Sequence, residues 1–109
     1  MNTYTIRANR KQHERQLLTY IGEANTVQID FAPWESDNGS VTSVDWATKS
    51  GQAGITNESL SSSIASALIT TSQEGRSLIK VTATAGNNIF VLWLDVKSKD
   101  LQSYQPSDY

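Results

Sequence analysis

Residues 77–85 restrict this chain more than any other segment. Ile79, Val81, Ala83 and Ala85 alternate with Lys80, Thr82 and Thr84. A strict period of two puts the apolar set on one face of an extended strand and the polar set on the other. Gly86-Asn87-Asn88 follows as a hairpin turn, and a second extended segment runs over 89–97. A chain of 109 residues with such a hairpin near its end has room for one domain and one modest core.

The rest of the chain reads as strands broken by turn signals at short intervals. Val27, Ile29 and Phe31 alternate with Gln28 and Asp30 over 26–32, and Pro33 stops that strand. Asp37-Asn38-Gly39 is a turn, because Asn and Gly tolerate positive φ. A second strand is expected over 41–48, with Val44 and Trp46 on one face and Asp45 opposite; Ser50-Gly51 ends it. A short strand near 53–56 precedes a turn at Asn57-Glu58. The run 62–71 is rich in Ser, Thr and Ile and is read as a strand, although its Ala and Leu residues would also suit a helix. Six or seven short strands with a Trp in an early one predict an all-β fold, an immunoglobulin-like two-sheet sandwich; a small barrel is the alternative. The core is expected to include Val44, Trp46, Ile79, Val81 and Trp93. Three segments follow: a basic N-terminal arm or leader over 1–22, the sandwich over 23–100 and a polar C-terminal tail over 101–109.

Charge is divided along the chain. Residues 1–16 hold Arg7, Arg10, Lys11 and Arg15 against Glu14, a net of +3, while the remainder holds five basic and ten acidic residues, a net of −5. The leader could be a short helix or an extended arm, since Ala, Arg, Lys, Gln and Glu are all good helix formers. It is either a solvated segment or an arm that contacts an acidic protein, another copy of the chain included. The acidic body disfavours nucleic acid.

No catalytic constellation is present, and the chain is read as a non-enzyme. His13 is the only histidine and lies in the polar leader, and the chain has no cysteine. That excludes disulfides, thiolate metal sites and Cys-His chemistry. Asp37, Asn38, Asp45, Asn87 and Asn88 lack the ligand spacing of a calcium loop. Gly51-Gln52-Ala53-Gly54 is too short for a phosphate loop and opens no helix. No cofactor or metal is expected. No apolar run approaches a membrane span, and no signal peptide is visible at the start. Trp34, after Pro33, is the candidate for an exposed contact, including a glycan contact.

One feature points to a partner. Over 89–97, Ile89, Val91 and Trp93 occupy one face and Phe90, Leu92, Leu94 and Val96 the other, so both faces are apolar. A sandwich strand normally has one wet face. The Phe90, Leu92 and Leu94 face is assigned to a contact, either with the leader, residues 17–21 or the tail of the same chain, or with another protein.

The segment 41–97 carries a resemblance. Its Val44-Asp45-Trp46 strand, the small-residue stretch Ser61 to Thr71, and the run Gly75-Arg76-Ser77-Leu78-Ile79-Lys80-Val81-Thr82-Ala83 follow in order. This order resembles small accessory proteins of tailed-bacteriophage particles, fibre- or decoration-like, and more loosely the bacterial immunoglobulin-like domains. The resemblance implies a structural virion protein assembled in the host cytoplasm, most directly a capsid decoration or cement protein on the major capsid protein. A tail, collar or fibre position and a host-glycan-binding module are the alternatives. It transfers no catalytic residue.

Overall fold

A computed structural model describes residues 2–8 and 14–99. Arg10, Lys11, His13 and the tail 101–109 lie outside the described residues. The described residues form eight strands and one helix: β1 (Asn2–Arg7), β2 (Glu14–Tyr20), β3 (Ala24–Asp30), α1 (Ala32–Asn38), β4 (Ser43–Ser50), β5 (Gly54–Ser61), β6 (Ile64–Thr70), β7 (Gly75–Ala85) and β8 (Asn88–Lys99). They make two four-stranded sheets, ordered β1-β3-β6-β5 and β2-β8-β7-β4. The all-β, immunoglobulin-like sandwich is the architecture of this protein.

Large and small side chains interlock between and within the sheets. Val27 lies beside Ala67 and Ile29 beside Ala65 in one sheet. Phe90 lies beside Ala83, Leu92 beside Val81 and Leu94 beside Ile79 in the other. All of these are buried, with Trp46 across from Val81. Such size alternation lets two inner faces close to crystal-like density.

The basic leader is not a free arm. Asn2–Arg7 pairs parallel with β3, and Glu14–Tyr20 pairs parallel with the second half of β8. Tyr4, Ile6 and Leu17 turn inward and pack with the core. Apolar side chains at alternate positions gain more from burial than the described cations lose, since Arg7 stays exposed and Arg15 is only half-buried. The boundary expected at residue 22 is therefore crossed by both sheets.

Three further differences have local causes. The Asp37-Asn38-Gly39 turn belongs to the end of helix α1, which Pro33 opens from within its first turn. The expected turn at Asn57-Glu58 is a bulge inside one longer strand: the β5–β6 register shifts between Thr56 and Ser59, and Asn57 takes φ 55°. The reversal comes later, at Ser62-Ser63.

Candidate protein-docking face

Both ends of the sandwich are closed. At one end α1 lays Trp34 over Phe90, ring centroids 5.6 Å apart, while Phe31 meets the same ring edge-on at 6.0 Å. Glu35 fixes the helix from below: its carboxylate accepts the Val41 backbone N–H at 2.7 Å and the Ser63 hydroxyl. Trp34 is thus a buried plug, 6 % exposed, and not the surface contact expected of it. Its indole lacks an open face for stacking on a sugar.

At the other end, the Ser77 hydroxyl accepts the backbone N–H groups of Gln52 and Ala53 at 3.1 and 3.2 Å. Gly51 fits there because it has no side chain: a Cβ would stand 2.3 Å from Ser77 Oγ, at a backbone φ of +84°. The Gln52 side chain then ties the next loop, accepting the Ser72 N–H at 2.8 Å and donating to the Gln73 carbonyl at 3.0 Å. These loops use their polar groups on one another.

The two outer faces differ in chemistry. On β1-β3-β6-β5 two cross-strand rows read Thr3–Thr26–Leu68–Thr56 and Thr5–Gln28–Ser66–Ser59, without a charge, and the end row places Arg7 beside Asp30 and Ile64. On β2-β8-β7-β4 one row reads Glu14–Trp93–Lys80–Ala47, and the next places Gln16 beside Asp95 and Leu78. Lys80 Nζ stands 5.8 Å from the centre of the Trp93 ring, a cation–π contact. Arg76 grips Asp95 through two nitrogens, Nε to Oδ1 at 3.1 Å and Nη2 to Oδ2. That hydrogen-bonded pairing is the main cause that holds the Asp95 carboxyl below its ordinary value of 3.8, and it raises the Arg76 guanidinium in turn. A groove of about 710 Å³ opens on this face, lined among others by Glu14, Gln16, Arg76, Leu78, Trp93 and Asp95.

β8 therefore has the opposite facing from the one expected. Phe90, Leu92 and Leu94 are buried in the core, while Trp93 is half-buried on the outer face in line with Val91 and Ile89, which is 63 % exposed. The cause is the hairpin. Ala85 pairs with Asn88, so only Gly86 and Asn87 form the turn. Counting Asn88 into the turn slips the register by one residue, and a one-residue slip reverses every side chain. Of the other expected core residues, Trp46, Ile79 and Val81 are buried, and Val44 packs half-buried against them.

Of the expected arm cations, the described Arg7 and Arg15 stand in different sheets. Arg7 lies exposed beside Asp30 at the end of β1, and Arg15 lies on β2 beside Leu94, with its side chain half-buried. Among the described residues no group of three or more His, Asp or Glu side chains could hold a metal ion. No described helix is long and apolar enough to cross a membrane.

No family model and no curated protein matches this sequence. Solved structures match its fold. The cysteine protease inhibitor EhICP2 of Entamoeba histolytica is similar with a TM-score of 0.61 at 11 % identity, covering 90 % of this chain and 96 % of the inhibitor. The PKD domain of the KIAA 1837 protein is similar with a TM-score of 0.55 at 18 % identity, covering 84 % of this chain and 87 % of that domain. An endo-fucoidan hydrolase of glycoside hydrolase family 107 aligns with a TM-score of 0.54 at 12 % identity over 82 % of this chain but 13 % of its own. At such identities the likeness concerns the sandwich alone.

Proposed function

We propose that this chain is a non-catalytic structural protein of a tailed-phage particle, a capsid decoration protein that seats the outer face of β2-β8-β7-β4 on the major capsid protein. The virion setting comes from the resemblance of residues 41–97. The observation that carries the docking role is the track Ile89, Val91 and Trp93 along β8, continued by exposed Leu78 and Leu18 on the strands to either side. Trp, Arg and large aliphatic side chains grouped on one face are the composition of a protein-binding hot spot. Lys80, Lys97 and Lys99 stand on the same face with Glu14 and the paired Arg76 and Asp95, so the complementary surface is an apolar socket with a rim of mixed charge. Repeated copies on a lattice would bind by weak single contacts that add through multivalency.

Mass spectrometry of purified particles and gold-labelled antibody against the chain test this reading. The expected result is many copies per particle with label over the head. Label on the tail would overturn the decoration role, and absence from purified particles would overturn the virion role.

A further inference from the structure

We propose that two copies of this chain join through their β1 strands, antiparallel, with Thr5 opposite Thr5. Each sandwich has four edge strands, β1 and β5 in one sheet and β2 and β4 in the other. Three of them carry a device that discourages pairing. β5 has the bulge at Asn57, and β4 has a register shift between Thr48 and Ser50 next to exposed Lys49. β2 places the charged Arg15 at an inward position. Bulges and inward charges on edges are the usual protections against strand addition. Asn2–Arg7, the sequence Asn-Thr-Tyr-Thr-Ile-Arg, has no bulge, no proline, no glycine and no charge before its last residue.

The backbone selects the register. The Ala8 N–H donates to the Asp30 carbonyl at 2.8 Å, and β1 runs parallel to β3. In a parallel ladder a residue points both its N–H and its C=O to the same side, and successive residues alternate. Tyr4, Ile6 and Ala8 thus spend theirs on β3, and Thr3, Thr5 and Arg7 present theirs at the open edge. Antiparallel pairing centred on Thr5 sets Thr5 against Thr5 and Thr3 against Arg7, and satisfies about six backbone groups per copy with about six hydrogen bonds. A pairing centred on Tyr4 would bring together residues whose groups are already used. The same Thr5 register sets Tyr4 against Ile6 of the second copy. Both side chains pack against the core yet remain half-exposed, and they would cover one another. The product is one continuous sheet across both copies, ordered β5-β6-β3-β1-β1-β3-β6-β5, with two-fold symmetry.

The chain has no cysteine, which makes the test direct. A hydrogen-bonded antiparallel pair has a Cα separation of about 5.5 Å, within the roughly 4.4–6.8 Å that a disulfide spans. Thr5→Cys should give a disulfide-linked dimer as the predominant species under mild oxidation. Thr3→Cys should not, because its two copies would lie about 14 Å apart. Wild-type protein should show a two-copy mass by sedimentation. Thr5→Pro, which removes an edge-facing N–H together with the Thr5 hydroxyl's 3.5 Å contact to Gln28, should be monomeric and folded, with an unfolding midpoint that no longer varies with protein concentration. Cross-linking of Thr5→Cys no faster than Thr3→Cys, or a Thr5→Pro protein that stays dimeric, would overturn the proposal.

Discussion

Two tryptophans show how the same residue type serves opposite purposes. Trp34 closes the end of the core against Phe90, whereas Trp93 lies outside on the sheet under Lys80. Truncating a buried aromatic leaves a cavity, so Trp34→Ala should lower unfolding stability by about 3–5 kcal/mol in urea titrations. Trp93→Ala should cost about 1 kcal/mol or less, since it removes one exposed ring and a cation–π contact. Comparable losses for the two variants would contradict the facing assigned to β8. The Arg76–Asp95 pair makes a second prediction. Its carboxyl is held below 3.8 in the folded state, so the pair's contribution is fully present above that value and is lost as pH falls through the lower, folded value. Asp95→Asn should flatten that acid limb of the stability curve while leaving stability above neutral pH only slightly reduced; an acid limb unchanged by the substitution would show that the pair is broken in solution. Neither role was legible from residue type. Pro33-Trp34 reads as a loop because the 7-residue helix it opens is too short to show a period, and Trp93 reads as core because β8 is apolar on both faces.

Strands were legible wherever a period of two ran without interruption. β3 and β7 show this, with inner faces Val27–Ile29 and Ile79–Val81–Ala83 as the alternation predicts. What escaped were the features that depend on one residue of register. Asn57-Glu58 has turn chemistry, yet its neighbours on both sides pair with β6, so the same left-handed residue makes a bulge and the strand resumes. Asn57→Gly should leave stability close to wild type. Asn57→Val should lose about 1–2 kcal/mol, the usual penalty for forcing a side chain with a branched Cβ into that conformation. An unperturbed Val variant would mean that the bulge relaxes. The leader escaped for a different reason: its cations mask two short strands, and parallel pairing with partners about 23 residues away on one side and about 79 on the other leaves no local pattern. The doubly apolar character of 89–97 was visible from the start, but which of its faces looks outward is set by the hairpin, and it is the Ile89–Val91–Trp93 face.

At the scale of the molecule, the sandwich separates its tasks. Its ends are plugged by α1 and by loops that bond to one another, one outer face is built mainly of Thr, Ser and Gln rows, and the other gathers aromatic, aliphatic and charged side chains. In the proposed docking role the partner meets a sheet face and not the loops. The N-terminal strand closes the other sheet and, among the described residues, supplies its edge without a bulge, so the proposed docking and self-association use different surfaces and should vary independently. The direct test is competition: wild-type chain and Trp93→Glu, equally folded by circular dichroism, are offered together to particles lacking the protein. Wild-type chain should take nearly all of the sites, with Trp93→Glu scarcely represented on washed particles. Equal incorporation of the two would show that this face is not the one that binds.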